Sequence, residues 1–190
     1  MQRTLEEAMA AKPFAAIPFL GEVEEICIVT PDLERTAANL MLLGIGPWKL
    51  MEINPGNTTE QTYRGRATPF SIRVGFANVG KVVFELMQPL DDNSIFAEHL
   101  QEKGEGLHHV SFSLDGIPWE DRIAAFKSRG FPVVQSGRWL GSVRFAFFDT
   151  ETATGMSFET YRYPPGHVDP PEELRWFPAS PGEGARQASP

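Results

Sequence analysis

Four side chains, Glu25, Glu85, His109 and Glu159, combine type and position in a way that suits metal or acid–base chemistry. Glu85 sits mid-run in Val82–Met87, where Val82, Phe84 and Leu86 alternate with Val83, Glu85 and Met87; Glu159 sits likewise in Ser157–Tyr161. A carboxylate among apolar strand neighbours is costly to bury alone, so each requires a cation, a hydrogen-bond network or a functional use. Side chains alternate along a strand. After Gly106, His108, Val110, Phe112 and Leu114 therefore form a column suited to a helix-covered core. Leu107, His109, Ser111 and Ser113 form one suited to a polar cavity. Three carboxylates and one imidazole would suit a divalent ion (Mg, Mn, Fe, Co, Ni or Zn) without choosing among them. The plainer alternative is pairing with arginine, for which Arg73 and Arg144 stand on neighbouring strands.

The elements that must position these residues read strand, helix, strands, and then the same again. The first copy has a strand at Glu25–Thr30 and a helix at Leu33–Leu43 between Asp32 as cap and Gly44 as stop; strands follow at Trp48–Ile53, Ser71–Ala77 and Lys81–Met87. The second has a strand at His108–Leu114, a helix at Trp119–Ser128 stopped by Gly130, and strands at Pro132–Gln135, Val143–Phe148 and Ser157–Tyr161. Ser94–Lys103 forms a linking helix, with Ser94 as cap and Gly104 as stop. Glu25 to Gly44 spans 19 residues and His109 to Gly130 spans 21, so Glu25 corresponds to His109 and Glu85 to Glu159. The expected organisation is an arm at 1–21, a first βαβββ module at 22–90, a linking helix at 91–105, a second module at 106–163 and a Pro-rich tail at 164–190. Within that tail Glu172–Leu174–Trp176–Phe177 is the sticky part, able to pack on the body or on a second subunit.

Composition excludes several classes. With 17 Lys+Arg against 25 Asp+Glu, the net charge of −8 and the lack of a basic cluster argue against nucleic-acid binding. A single Cys, Cys27, leaves no internal disulfide and no cysteine-based zinc site, and four His force any metal site to lean on carboxylates. No run is long and apolar enough for a membrane span, and Glu6 and Glu7 stand where a signal peptide would be basic, so a cytoplasmic protein is expected.

The segments EEICIVTPDLERTAANLMLLGIGPW, VFELMQPLDDNSIFAEHLQEKGEGLHHVSFSL and FFDTETATGMSFETYRYP resemble the vicinal oxygen chelate superfamily, in its branch of glyoxalase and methylmalonyl-CoA epimerase. The resemblance covers residues 22–163 and is most specific in the middle segment. It implies an α+β fold, two βαβββ modules forming a cupped eight-stranded mixed sheet (a glyoxalase/bleomycin resistance/dioxygenase-like fold) around a divalent metal. Its implied ligands, carried onto this chain, are Glu25, Glu85, His109 and Glu159. There are two departures. The opening ligand, usually His, is Glu25 here, and no Asp or Glu lies between Glu60 and Glu85 to serve as the epimerase base.

The leading expectation is a metal-dependent isomerase, epimerase or lyase acting on a small oxygenated organic acid, ketone or thioester by enolate or proton-transfer chemistry. Glu159 is the first choice for a carboxylate that exchanges between ligand and base, Glu25 the second, in a site lined by Met87, Phe147 and Phe158. The alternatives are a non-catalytic sequestering protein whose Trp48, Trp119, Trp139 and Trp176 line the cup, and an Fe(II) ring-cleaving dioxygenase, which needs two His where one is aligned. Glu60 lies in the polar loop GNTTEQTYRGRATP, placed to fold over the cavity. A homodimer is plausible from edge pairing, with the cup closing within or between subunits.

Overall fold

The computed structural model describes residues 19–114 and 116–179 of the chain. The N-terminal arm, apart from its last residues, and the end of the tail lie outside them. The elements are β1 (Val23–Val29), α1 (Leu33–Met41), β2 (Trp48–Ile53), β3 (Thr58–Tyr63), β4 (Arg66–Ala67), β5 (Ile72–Val79), β6 (Val82–Pro89), α2 (Ile95–Lys103), β7 (Gly106–Phe112), α3 (Trp119–Ser128), β8 (Val133–Trp139), β9 (Val143–Phe148), α4 (Glu151–Thr154), β10 (Ser157–Arg162) and β11 (Arg175–Phe177).

The strands form one mixed sheet in the order β11-β2-β5-β6-β1-β7-β10-β9-β8-β3-β4. The inner eight repeat one pattern about the β1·β7 antiparallel seam. β1 pairs in parallel with β6, the last strand of its half, and β7 pairs in parallel with β10. The fold is thus the α+β cup the resemblance implies, with eleven strands instead of eight. The extra strands cover the two edges that open sheets must protect.

One extra pair is the segment expected as a polar loop. β3 follows β2 after four residues yet pairs with β8 on the opposite flank, Thr58 facing Trp139 and Tyr63 facing Gln135. Five steps of chain reach at most about 18 Å, so this crossing obliges the sheet to curl and closes the cup within one chain. Glu60 bulges out of β3 at φ 55 and pairs with Arg138 at 3.3 Å, on the outside and away from the cavity. The other extra strand is the sticky part of the tail, which docks on the body: β11 pairs antiparallel with β2, Trp176 opposite Lys49.

Local chemistry explains the helices. Asp32 accepts from Arg35 N at 3.1 Å and Ser94 from Ala97 N at 3.2 Å, side-chain caps that stabilise a helix start by about 1 kcal/mol each. α1 covers the outer face of the first half, burying Leu33 and Ala37 on Trp48, Leu50 and Leu86. α3 does the same for the second, with Phe126 stacked on Phe148 at 3.6 Å. Phe158 belongs to this outer cluster, where it meets Phe112 edge to face; strand alternation with Glu159 puts it outside the cavity, contrary to the expectation for it. The inner face carries a separate core of Met51, Ile53, Val74, Met87, Phe145 and Phe147. Gly137 on β8 is part of its packing, since a Cβ there would stand 2.5 Å from the Phe145 ring.

Candidate metal centre

The register fixes which residues meet. Along the two parallel pairs, Glu25 faces Val83 and Cys27 faces Glu85, while His109 faces Ser157 and Ser111 faces Glu159. Across the seam Glu25 faces Ser111 and Cys27 faces His109. The two halves therefore place three residues each at equivalent positions: Glu25 with His109, Cys27 with Ser111, and Glu85 with Glu159.

All four sequence-selected residues are brought together and buried, none more than 6% exposed. The carboxylates of Glu25, Glu85 and Glu159 offer oxygens that lie within 4.8 Å of one another. His109 Nε2 stands 2.9 Å from Glu85 Oε2 and 3.2 Å from Glu159 Oε2. Ser111 donates its hydroxyl to the same Glu159 oxygen. Cys27, expected only as a thiol without a disulfide partner, has a sulfur that joins Glu85 and His109 in a second close group and donates to Glu85. Ser111 lies in the polar column expected for His109; Cys27, one strand period from Glu25, is the partner that spacing alone does not flag.

The electrostatics follow from crowding acids away from water. Burial pushes the Glu25 carboxyl well above the usual range, and the Glu85 and Glu159 charges add to the shift. Burial also raises Glu85, against the pull of His109. For His109 burial alone would lower the pKa, but hydrogen bonds to Glu159 and Glu85 outweigh it and hold the imidazolium to about 10. Burial pushes the Cys27 thiol up, so it remains a neutral donor.

The neighbouring imidazole has another role. The seam register slips by one residue between the Cys27–His109 and Ile28–Leu107 pairs, a bulge that buries both His108 and His109 while Leu107 is 68% exposed. His108 packs against Phe96 and His99, and its Nδ1 lies 2.9 Å from His109 Nδ1. Burial lowers its pKa well below the ordinary value, so it is neutral and accepts from His109 Nδ1–H. That leaves His109 Nε2 for the carboxylate cluster, the tautomer fixing that ligating histidines require. A buried set of three carboxylates and one oriented imidazole, with excess negative charge, fits a divalent cation.

Two cavities open from the cluster. The inner one, about 50 Å³, has walls of Met51, Val74, Trp139, Phe145 and Phe147 with Glu25, Glu85 and Glu159. The outer one, about 460 Å³, is lined by Lys49, Asn78, His167, Asp169 and Trp176 among others. Glu25, Phe76, Tyr161 and Tyr163 line both and so stand where they join. His109 is the imidazole of the cluster because its Nε2 reaches both Glu85 and Glu159, whereas His108 turns its ring toward Phe96 and His99. Arg73 and Arg144 are on the outside, paired with Glu52 and Glu120 at 2.9 Å each. Of the tryptophans, Trp48 and Trp119 pack in the outer cores, while Trp139 and Trp176 face the cavities.

Residues 24–147 match the Glyoxalase/Bleomycin resistance protein/Dioxygenase superfamily, and the chain belongs to it. The mitochondrial methylmalonyl-CoA epimerase of Homo sapiens is 31% identical over 100 residues, 52% of this chain. That stretch spans about half, 49%, of the human protein's length. Among solved structures, the methylmalonyl-CoA epimerase from Mycobacterium tuberculosis is similar at 21% identity with a TM-score of 0.58, covering 80% of this chain and 94% of that one. A variant of the Streptomyces coelicolor methylmalonyl-CoA epimerase, solved with 2-nitronate-propionyl-CoA, is 18% identical with a TM-score of 0.53, covering 75% and 94%. At these identities the two structures speak to the fold alone. Among the described residues no helix is long and apolar enough to cross a membrane.

Proposed function

We propose that the protein is a metal-dependent isomerase or epimerase that moves a proton on a carbon next to a carbonyl, with Glu25 as the exchanging base. The observation that carries this is the position of Glu25: it belongs to the buried carboxylate cluster and also lines the outer cavity. Glu85, Glu159 and His109 would hold the ion, and Glu25 would be the ligand able to leave it. When bound, such an ion supplies Lewis-acid stabilisation of negative charge on substrate oxygen. The inner cavity has room for little more than a water or a small oxygenated head group.

Glu25 removes the α-proton and the C–H electrons move to the carbonyl oxygen, giving the enolate; Glu25 then returns a proton to the same carbon, which exchanges the α-hydrogen, and the centre inverts when the planar enolate turns its other face to Glu25 before that return. Burial, with the Glu85 and Glu159 charges beside it, makes Glu25 a stronger base than an ordinary carboxylate. Glu159 is the less suitable base, because Ser111 and His109 already occupy its oxygen. The epimerase relatives support the reaction class.

The test has two arms. Protein purified without chelator is analysed for bound metal alongside His109→Ala, and exchange of α-hydrogen with D2O is followed by NMR for a panel of enolisable acids, ketones and thioesters. Metal held by the wild type and lost in the variant, with exchange on at least one compound, is the expected result. Equal metal content in both proteins, or no exchange on any compound, overturns the reading.

A further inference from the structure

The outer wall of this site comes from outside the family's matched stretch. The match ends at residue 147, whereas Tyr163, His167, Asp169 and Trp176 follow it and line the outer cavity. The segment 164–177 is a strap fixed along its length. β11 pairs with β2, Arg175 meets Glu34 at 2.7 Å, and Asn57 donates to Glu173 at 2.9 Å. Leu174 packs on the inner core and Phe177 on the core beneath α1.

The chemistry of this wall is selective. Phosphate recognition uses arginine or lysine free to meet it. Among the described lining residues the Lys and Arg side chains are represented by Lys49, which is 2.6 Å from Asp169 Oδ2. The other oxygen of Asp169 takes His167 Nε2 at 3.0 Å, so the cation is already neutralised and Glu25 adds negative charge. The rest of the wall is aromatic. Tyr163 stands 5.5 Å from Tyr161 and 5.1 Å from His167, and His167 stands 6.0 Å from Trp139 of the inner cavity. Phe76 carries Lys49 on its face, and Trp176 is 39% exposed. A volume of about 460 Å³ suits a small organic molecule.

We propose that the strap 164–177 is the specificity-determining wall of the site, and that His167, Asp169 and Trp176 select a phosphate-free acid or ketone carrying a planar apolar group over a phosphorylated carrier thioester. Asp169 contributes by occupying Lys49, and the rings by offering faces to stack on. This deepens the function proposed above and rests on it for the reacting end of the substrate.

Isothermal titration calorimetry with the full chain tests it, using phenylacetate and acetyl-CoA as probes, each with added Mn(II) and again with chelator. Phenylacetate is expected to bind the intact protein more tightly than acetyl-CoA. The double variant His167→Ala/Trp176→Ala should lose about tenfold of that affinity with unchanged melting temperature. Trp176→Phe, which keeps a ring, should retain it. Tighter binding of acetyl-CoA, or a phenylacetate affinity that is the same in wild type and in the double variant, overturns the proposal. If the double variant does not fold, loss of phenylacetate selectivity in Trp176→Leu replaces it as the deciding comparison. Failure of the metal reading shows separately, as absence of any difference between the Mn(II) and chelator arms, because contact with the strap rings needs no metal.

Discussion

The two halves of the molecule present equivalent positions with unequal chemistry. Glu85 and Glu159 are the same residue at the same place, but Glu25 in the first half stands where the second has His109, and Cys27 stands where it has Ser111. The second half is the more fully bonded: His108 orients His109, His109 bridges both symmetric carboxylates, and Ser111 ties Glu159. The first half leaves Glu25 facing the outer cavity. Under the proposed function the symmetric carboxylates hold the ion from both halves, and the halves differ at two pairs: His109, which would hold, against Glu25, which would react, and Ser111 against Cys27.

The division is broken most severely by removing what the halves share. Glu85→Ala and Glu159→Ala are each expected to lower metal affinity by more than about a hundredfold, since outer-sphere changes alone cost roughly 10–100-fold. Metal titration by calorimetry measures this. Comparable losses on both sides would uphold the equivalence, and a loss on one side only would refute it.

Exchanging the unequal pair should separate holding from reacting. Glu25→Gln is expected to keep bound metal while α-proton exchange falls about 10²–10⁴-fold, the range for loss of a general base. Glu159→Gln should lose metal and exchange together. If Glu159→Gln kept metal and lost exchange while Glu25→Gln lost metal, the two roles would have to be swapped.

How much of this arrangement sequence could show depended on periodicity. Glu85 and Glu159 stood out because a carboxylate interrupts an apolar alternation, and the copy-to-copy spacing then placed Glu25 and His109 beside them. Alternation expects His108 against a helix and His109 in the cavity, and both lie there, but nothing local in Leu-His-His-Val announces the bulge at that point. Phe158 goes to the wrong face when apolarity is followed instead of alternation, because its neighbour Glu159 already fixes its face. The crossing of β3 to β8 was hidden in polar Thr and Gln residues, whose strand formation is a matter of the partner edge. The strap is legible only at its sticky end, Leu174 to Phe177, which docks on the body; its first part is hidden because proline and glycine composition resembles an unstructured tail.

The inequality should also be visible as pH dependence in metal-free protein. The folded pKa of His109 is raised to about 10 from an unfolded value of about 6.5. Its stabilisation is therefore fully present below about pH 6.5 and lost as pH rises through about 10. Glu25, also raised, acts in the same direction, because the buried group must lose its proton as pH rises. Chelator-treated protein should thus melt at progressively lower temperature from neutral to alkaline pH, and Glu25→Gln should make the fall with pH shallower. A melting temperature that climbs over this range would show that His109 is not held as an imidazolium between the two carboxylates.

The smallest effect is expected at the remaining unequal pair, where Cys27→Ser gives both halves a hydroxyl. The thiol is 0% exposed and donates to Glu85, as Ser111 donates to Glu159. A serine at this position can make the same bond and makes it more strongly, so most of the roughly 1–3 kcal/mol for burying a hydroxyl is recovered. The melting temperature should shift by a few degrees at most, and metal affinity should change less than in Ser111→Ala, which strips Glu159 of its donor. Equal losses in the two variants would place the thiol among the groups that hold the metal.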